Sequence, residues 1–403
     1  MATVLAAAPA AASPTAASSQ GIDFALTEEQ ELLLEQVRRF AEERIQPDLP
    51  ARDREHRFSP EVVAGMAELG LLGMLVPEEY GGAGIDPLTY VLTVEEVARV
   101  SPADAVTLSV TNSVCCWPIV HFGSEALKRR VLPGLAAGQL GGFGLTEPGA
   151  GSDAGSLRTS ARRDGDAWVL NGEKAWITNA GFASWYVVVA RTNPEAGKRG
   201  LSAFVVPADA PGFAVGPPEE KLGLRASRTA PLAFTDCRIP AQNLLGEEGQ
   251  GLKIALATLD HSRLGIAAQA AGIHRRALEL AVAYAKERQQ FGAPLAEHQA
   301  IQMKLAQMST ELAAARALTH YAAHVAEKPA YRKEAGRLAS QAKLYASEAA
   351  NRACAESLQI HGGNGFHQDY EISRLYRDVR VTTIYEGTSE MQRLVIARHL
   401  LGA

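Results

Sequence analysis

A chain of 403 residues, 47% hydrophobic and 21% charged, has ordinary globular composition and length enough for two or three domains. Its net charge of −5 supplies no general basic field for nucleic acid or anionic lipid, so neither is an expected partner. No apolar run approaches the roughly 18 residues that a membrane helix needs, and Cys115, Cys116, Cys237 and Cys354 form no C-x-x-C pair, which reads as reduced, packed thiols in a cytosolic-type compartment.

Residues 1–21 are rich in Ala, Pro and Ser, and the first 20 carry no charged side chain, which suits a disordered tail better than a targeting segment. From 22 to 138 the pattern is helical. Thr27 and Gln30 have capping-box spacing ahead of Leu33, Val37, Phe40, Ala41 and Ile45, and Ser59-Pro60 marks a second helix start. Helical patterns resume near 87–100, 103–121 and 124–137 after a loop at 77–82.

Between 139 and 245 the period changes. Asn171-Gly172, flanked by 168–170 and 175–177, predicts a hairpin turn, and 186–190 and 201–206 are further strand-like runs. From 246 to 403 long Ala- and Leu-rich amphipathic patterns run through 250–288, 295–326, 331–360 and 378–400, as in a four-helix bundle. The expected fold is therefore mainly α with a central β domain: a helical domain, a β-barrel-like middle and a helix bundle.

Several segments have the makings of a site. Thr146-Glu147-Pro148-Gly149-Ala150-Gly151-Ser152 is either a plain turn or a loop whose backbone amides approach a ligand, and its spacing is not that of a dinucleotide fingerprint. Trp176 beside Ile177 and Thr178 is either core or an aromatic face. Gly362-Gly363-Asn364-Gly365 is either an interhelical turn or a phosphate surface, and Arg288 reads first as a solvated helix-end charge. Glu386 is a single carboxylate among Ile384, Tyr385 and Gly387, and a carboxylate in low dielectric has a raised pKa suited to a general base. His320 and His324 lack a third ligand nearby, so no metal is expected.

In order along the chain, FGLTEPGAGSDAG (143–155), NGEKAWITNA (171–180), KLGLRAS (221–227), LDHSRLGIAAQAAG (259–272), RQQFGAPLAEHQAIQ (288–302), QIHGGNGF (359–366) and RLYRDVRVTTIYEGTSEMQRLVIARHLL (374–401) resemble the acyl-CoA dehydrogenase family, the short-chain group most of all. The resemblance implies the three-domain fold, a homotetramer, FAD as cofactor, an acyl-CoA substrate and electron-transferring flavoprotein as acceptor. It implies that Phe143, Leu145, Thr146, Gly151 and Ser152 cover the flavin and that Trp176, Ile177 and Thr178 pack along it. Arg288, Phe291, Gln299 and Gln359, Ile360, His361, Gly362 and Gly363 would reach the cofactor of an adjacent protomer, while Thr388, Ser389, Glu390 and Met391 line the same site.

Ser152, Asp260, His261, Ser262, Arg263 and Gly387 would surround the CoA arm and thioester. Glu386 falls at the family's usual base. The alternative base position holds Ser262, which cannot act as a carboxylate. The implied reaction removes the α-proton to Glu386 as the β-hydrogen leaves as hydride to flavin N5, giving the trans-2-enoyl-CoA. An oxidase or monooxygenase on this fold is the enzymatic alternative, and a nucleic-acid-binding flavoprotein the non-enzymatic one. Two departures from the family's pattern stand out: Ala226-Ser227-Arg228-Thr229, and Glu371-Ile372-Ser373 before Arg374.

Overall fold

The computed structural model describes residues 25–402; the tail reading for 1–21 lies outside them. The first layer is helical: α1 (Glu28–Phe40), α2 (Leu49–Glu55), α3 (Pro60–Glu68), α4 (Pro87–Val100), α5 (Pro102–Val110), α6 (Trp117–Phe122) and α7 (Glu125–Ala136). The predicted starts hold. Thr27 and Gln30 form the reciprocal capping box, and the Ser59 hydroxyl accepts from the Val62 amide with Pro60 in the first turn.

Helices α5 and α6 join through a π-helical segment, Thr111–Cys116, into one continuous rod from Pro102 to Phe122. This corrects the reading of apolar runs. By length and composition the rod could cross a membrane, but 78% of its most apolar window is buried inside the fold, where it is the domain's core helix. Cys115 and Cys116 lie in the π segment, and all four cysteines are free and buried. Burial pushes the Cys115 thiol up to about 12.

The middle layer is a mixed eight-stranded sheet: β1 (Leu140–Gly144), β2 (Ser160–Asp164), β3 (Ala167–Thr178), β4 (Ala183–Arg191), β5 (Leu201–Pro207), β6 (Phe213–Val215), β7 (Thr229–Pro240) and β8 (Leu244–Leu245). Neighbours run β6-β7-β3-β2-β4-β5-β8, with β1 added parallel to β4. The hairpin expected at Asn171-Gly172 is not a hairpin. β3 continues through it as a bulge, with the register against β7 shifting between Leu170 and Gly172. Asn171 exchanges hydrogen bonds with Asp236 on β7, and Gly172, at φ 137°, lies where a Cβ would meet Thr159 Cα at 2.7 Å. The actual turn is two residues between β2 and β3, with Gly165 at φ 61°.

The third layer is the bundle: α8 (Gly251–Glu287), α9 (Gln299–Val325), α10 (Ala335–His361), α11 (Glu371–Val379) and α12 (Ser389–Leu401). A short ribbon, β9 (Gln289–Gln290) against β10 (Ala293–Pro294), closes the α8–α9 link. The pattern expected to run unbroken through 378–400 breaks after Thr383 and resumes at Ser389. That break carries Glu386.

The layers are tied at their seams. Asn179, at φ 64°, donates from its side chain to Gly141 O at 2.9 Å and Thr107 O at 3.3 Å, joining sheet to rod. Buried Ala267, Ala268, Ala270 and Ala271 let α8 pack closely against its neighbours.

Candidate active site

Glu386 occupies a left-handed turn with φ 53°, followed by Gly387 at 87°. A non-glycine residue there is strained by roughly 1–2 kcal/mol, so the surrounding structure must hold it. Tyr385 anchors one side, its hydroxyl donating to Gln269 Oε1, while Gln269 Nε2 donates to Pro102 O at 2.8 Å. Thr388 caps α12 on the other side, accepting from the Met391 amide at 3.3 Å.

The Glu386 carboxylate is half-buried and accepts from Ser262 Oγ at 2.5 Å. Burial drives its pKa above the ordinary carboxylate value. The Ser262 hydroxyl and the Arg263 and Lys343 cations pull it back without cancelling the rise. Its main-chain carbonyl accepts from Arg263 Nε at 3.4 Å and Gln392 Nε2 at 3.1 Å. The Gly387 carbonyl accepts from Gln392 Nε2 and Lys343 Nζ, both at 2.8 Å. Arg263 is also paired with Asp260 at 2.5 Å and donates to Ser340 Oγ at 3.2 Å.

Beside this turn lies an apolar cluster of Leu49, Ala103, Val106, Val110, Val114, Leu224 and Ala226, with Phe143, Val381 and Tyr385 packed on it. His261 faces another way. It stacks on Trp117 at 4.9 Å, with Tyr90 beyond at 6.5 Å, and burial lowers its pKa to about 3, so the ring is neutral. The arrangement is a carboxylate of raised pKa, rigidly aimed, next to an apolar wall. It can accept a proton from a carbon acid whose product charge is stabilised nearby.

The Gly-rich segment is a tight turn: the Glu147 and Ala150 backbones exchange hydrogen bonds at 3.0 Å across Pro148-Gly149. Beneath it a buried ion pair joins Glu147 to Lys174 Nζ at 2.7 Å, and Glu147 also accepts from the Arg158 amide at 2.7 Å and the Thr159 amide at 3.0 Å. Burial opposes ionisation of Glu147, but Lys174 and these donors outweigh it and hold its pKa low. Gly151 and Ser152 are exposed, Thr146 and Phe143 half-buried, and Leu145 buried. Trp176 sits at φ 63° where the β3–β7 register shifts again, and is 60% exposed. It is not core. Ile177 is, so it can offer a ligand only its backbone, while Thr178 is half-buried beside it.

The remaining predicted residues gather elsewhere. Arg288 caps the C-terminus of α8, 26 residues beyond Ser262, or about 39 Å along the helix at 1.5 Å per residue. With it at that end of the bundle are exposed Gln299, Gln359, Gly362 and Gly363. Phe291 is 98% exposed. Ile360 packs inward against Ala281 and Met308, and His361 stacks on Tyr284 at 4.3 Å. Within one chain these residues do not converge on Glu386. Ser389, Glu390 and Met391 do flank it, and Ser389 Oγ and Gln392 Oε1 are buried without partners.

Lys343, Gln392, Gln269, Tyr90 and Lys174, the partner of Glu147, were not singled out from sequence. Each is a polar residue in an otherwise regular helix or strand pattern, and that interruption is the one signal available. Of the departures noted in the sequence, Ala226 joins the apolar cluster by Tyr385, and Glu371 pairs with Arg276 at 2.6 Å and Arg374 at 3.0 Å. Arg228 leaves its Nε buried without a partner, and Ser373 likewise leaves its Oγ.

Comparison with known proteins matches the chain to three consecutive family models: the acyl-CoA dehydrogenase N-terminal domain over 27–139, the middle domain over 142–237 and the C-terminal domain over 249–401. An acyl-CoA dehydrogenase of Bacillus subtilis is 47% identical over 94% of this chain and 99% of its own length. The human mitochondrial short-chain specific acyl-CoA dehydrogenase is 50% identical over 93% and 91%. The solved butyryl-CoA dehydrogenase of Megasphaera elsdenii superposes with a TM-score of 0.92 at 43% identity, covering 94% of this chain and all of that one. A glutaryl-CoA dehydrogenase of Mycobacterium smegmatis, solved in complex with FADH2, gives 0.87 at 34%, covering 94% and 96%. The chain therefore belongs to the acyl-CoA dehydrogenase family, oxidoreductases that work with FAD.

Proposed function

We propose that this protein oxidises the Cα–Cβ bond of a short- or medium-chain acyl-CoA to the trans-2-enoyl-CoA, with Glu386 accepting the α-proton. The observation that carries this reading is Glu386 itself, a carboxylate raised by burial and fixed in a strained turn, with serine rather than a second carboxylate at 262. Short-chain and butyryl-CoA dehydrogenases among the relatives favour the short end.

The residues fit the cofactor. Gly149, Gly151, Gly362 and Gly363 have nothing within 4 Å of where a Cβ would stand, Trp176 turns outward, and Ser389 Oγ and Gln392 Oε1 lack partners. Phe143, Thr146, Ser152, Trp176 and Thr178 would hold the flavin from this chain. When bound, FAD supplies the hydride acceptor. The rest falls to the chain. The Glu386 amide N–H lies within the clamped turn and would donate to the thioester carbonyl, acidifying the α-carbon. The apolar cluster around Tyr385 would exclude water from the proton transfer.

Because Arg288, Phe291, Gln299 and Gln359–Gly363 lie far from Glu386, they would serve a second copy's cofactor, consistent with a homotetramer. Electron-transferring flavoprotein would take the electrons, in the cytoplasm or a mitochondrial matrix, as part of fatty-acid β-oxidation. The test is anaerobic titration of the FAD-loaded protein with butyryl-, octanoyl- and palmitoyl-CoA while recording the visible spectrum. Bleaching is expected with butyryl-CoA first. A flavin left oxidised by all three would overturn the proposal.

A further inference from the structure

Lys343 is fully buried on α10, yet among the described residues it makes no ion pair within 4 Å. Among the described residues the one hydrogen bond of its side chain is to the Gly387 carbonyl, at 2.8 Å. An ammonium buried against a carbonyl alone is costly, and an apolar side chain of similar volume would sit there more cheaply. The packing of α10 supplies no counter-charge, since its neighbours along the same face, Ala339, Ser340, Ala346 and Ser347, are small and uncharged.

The Glu386–Gly387 turn has two outward carbonyls, and four donor contacts clamp them: Arg263 Nε and Gln392 Nε2 on Glu386 O, and Gln392 Nε2 and Lys343 Nζ on Gly387 O. A Cβ on Gly387 would come within 2.8 Å of Gln392 Nε2, so the turn and its clamp fit without slack. Lys343 is the clamp member that α10 contributes, so it ties the turn to a second helix. We propose that Lys343 is a positioning residue for the reaction: through the Gly387 carbonyl it locks the turn that aims the Glu386 carboxylate and amide, and it sets a positive charge beside that turn. This rests on Glu386 being the base.

The charged and titratable groups around the pair fit that role. Glu386 faces Ser262, Arg263 and, through Arg263, Asp260 on α8; Lys343 on α10; Tyr90 on α4; and its own neighbour Tyr385. Lys343 in turn senses Glu386, Arg263, Glu348 and Glu390, and burial brings it down to about 8. Removing the Lys343 charge makes the Glu386 carboxylate less stable, so the pH at which the base ionises moves upward.

The experiment is anaerobic stopped-flow reduction of the FAD-loaded enzyme by butyryl-CoA across pH, for wild type, Lys343→Met, Lys343→Gln, Lys343→Arg and Glu386→Gln. Lys343→Gln keeps a donor without the charge. It should bind butyryl-CoA within about threefold of wild type, reduce flavin about tenfold more slowly, and shift the rising limb to higher pH. Lys343→Met should lose roughly a hundredfold, a misplaced base being the cause. Lys343→Arg should return the limb to its wild-type position. If Lys343→Met does not retain FAD, the Gln and Arg variants decide. A Lys343→Gln enzyme with wild-type rate and an unmoved limb overturns the proposal while Glu386→Gln stays inert. Wild-type reduction by Glu386→Gln instead overturns the base assignment, and the role of Lys343 with it.

Discussion

The two ends of α8 are built on opposite plans. Around Ser262 and Arg263 the catalytic turn is held from inside the chain: Arg263 is paired with Asp260, the Glu386 carboxylate accepts from Ser262, and both turn carbonyls accept from side-chain donors. Around Arg288, about 39 Å on, the chain turns its site residues outward. Phe291 is 98% exposed, Phe366 86%, and a Cβ placed on Gly362 or Gly363 would have nothing within 4 Å. The first end is preorganised by the chain's own side chains, as a catalytic constellation must be. The second has the character of a surface completed by something else.

The closed plan extends under the Gly-rich turn, and breaking it there should have the largest effect on stability. Lys174→Met strands the Glu147 carboxylate in the interior, which should cost about 3–5 kcal/mol and lower Tm by several degrees in calorimetry. A loss under about 1 kcal/mol would mean that the turn is held by its backbone bonds alone.

At the open end, Arg288→Ala should leave the fold intact but weaken FAD retention by about tenfold or more, the worth of a charge-assisted contact. Flavin occupancy after gel filtration reads this directly. Unchanged occupancy would remove Arg288 from the cofactor site and with it the reading of that end as completed by a second copy.

The smallest effect is a shift along the pH axis. The base must be ionised to act, so flavin reduction falls as pH drops through the pKa of Glu386, which burial raises. The rising limb should therefore lie above the ordinary carboxylate value of about 4.3. A limb at or below that value in the rate of flavin reduction would contradict a desolvated base.

The same contrast explains what could be read from the sequence. Helix starts at Thr27 and Ser59 and the long bundle patterns were legible because caps and apolar periodicity are local signals. Asn171-Gly172 misled because the signature that makes a tight turn also makes a bulge, and the choice was made by Asp236, 65 residues away. Glu386, its glycine and Arg263 lie together, as the motif resemblance grouped them. Lys343 and Gln392 were not legible, because a polar residue within a helix has no local mark that tells a carbonyl clamp from a solvated face. Trp176 needed the structure too, since its exposed ring sits on a left-handed backbone at the second register shift in β3.

One carboxylate, Glu386, starts the proposed chemistry. The most direct test of that role is anaerobic stopped-flow mixing of the FAD-loaded wild type and Glu386→Gln with saturating butyryl-CoA. Both proteins should bind the thioester, the wild type should bleach in a single turnover, and Glu386→Gln should be slower by about 10³-fold or more. Bleaching of Glu386→Gln at close to the wild-type rate would contradict that role.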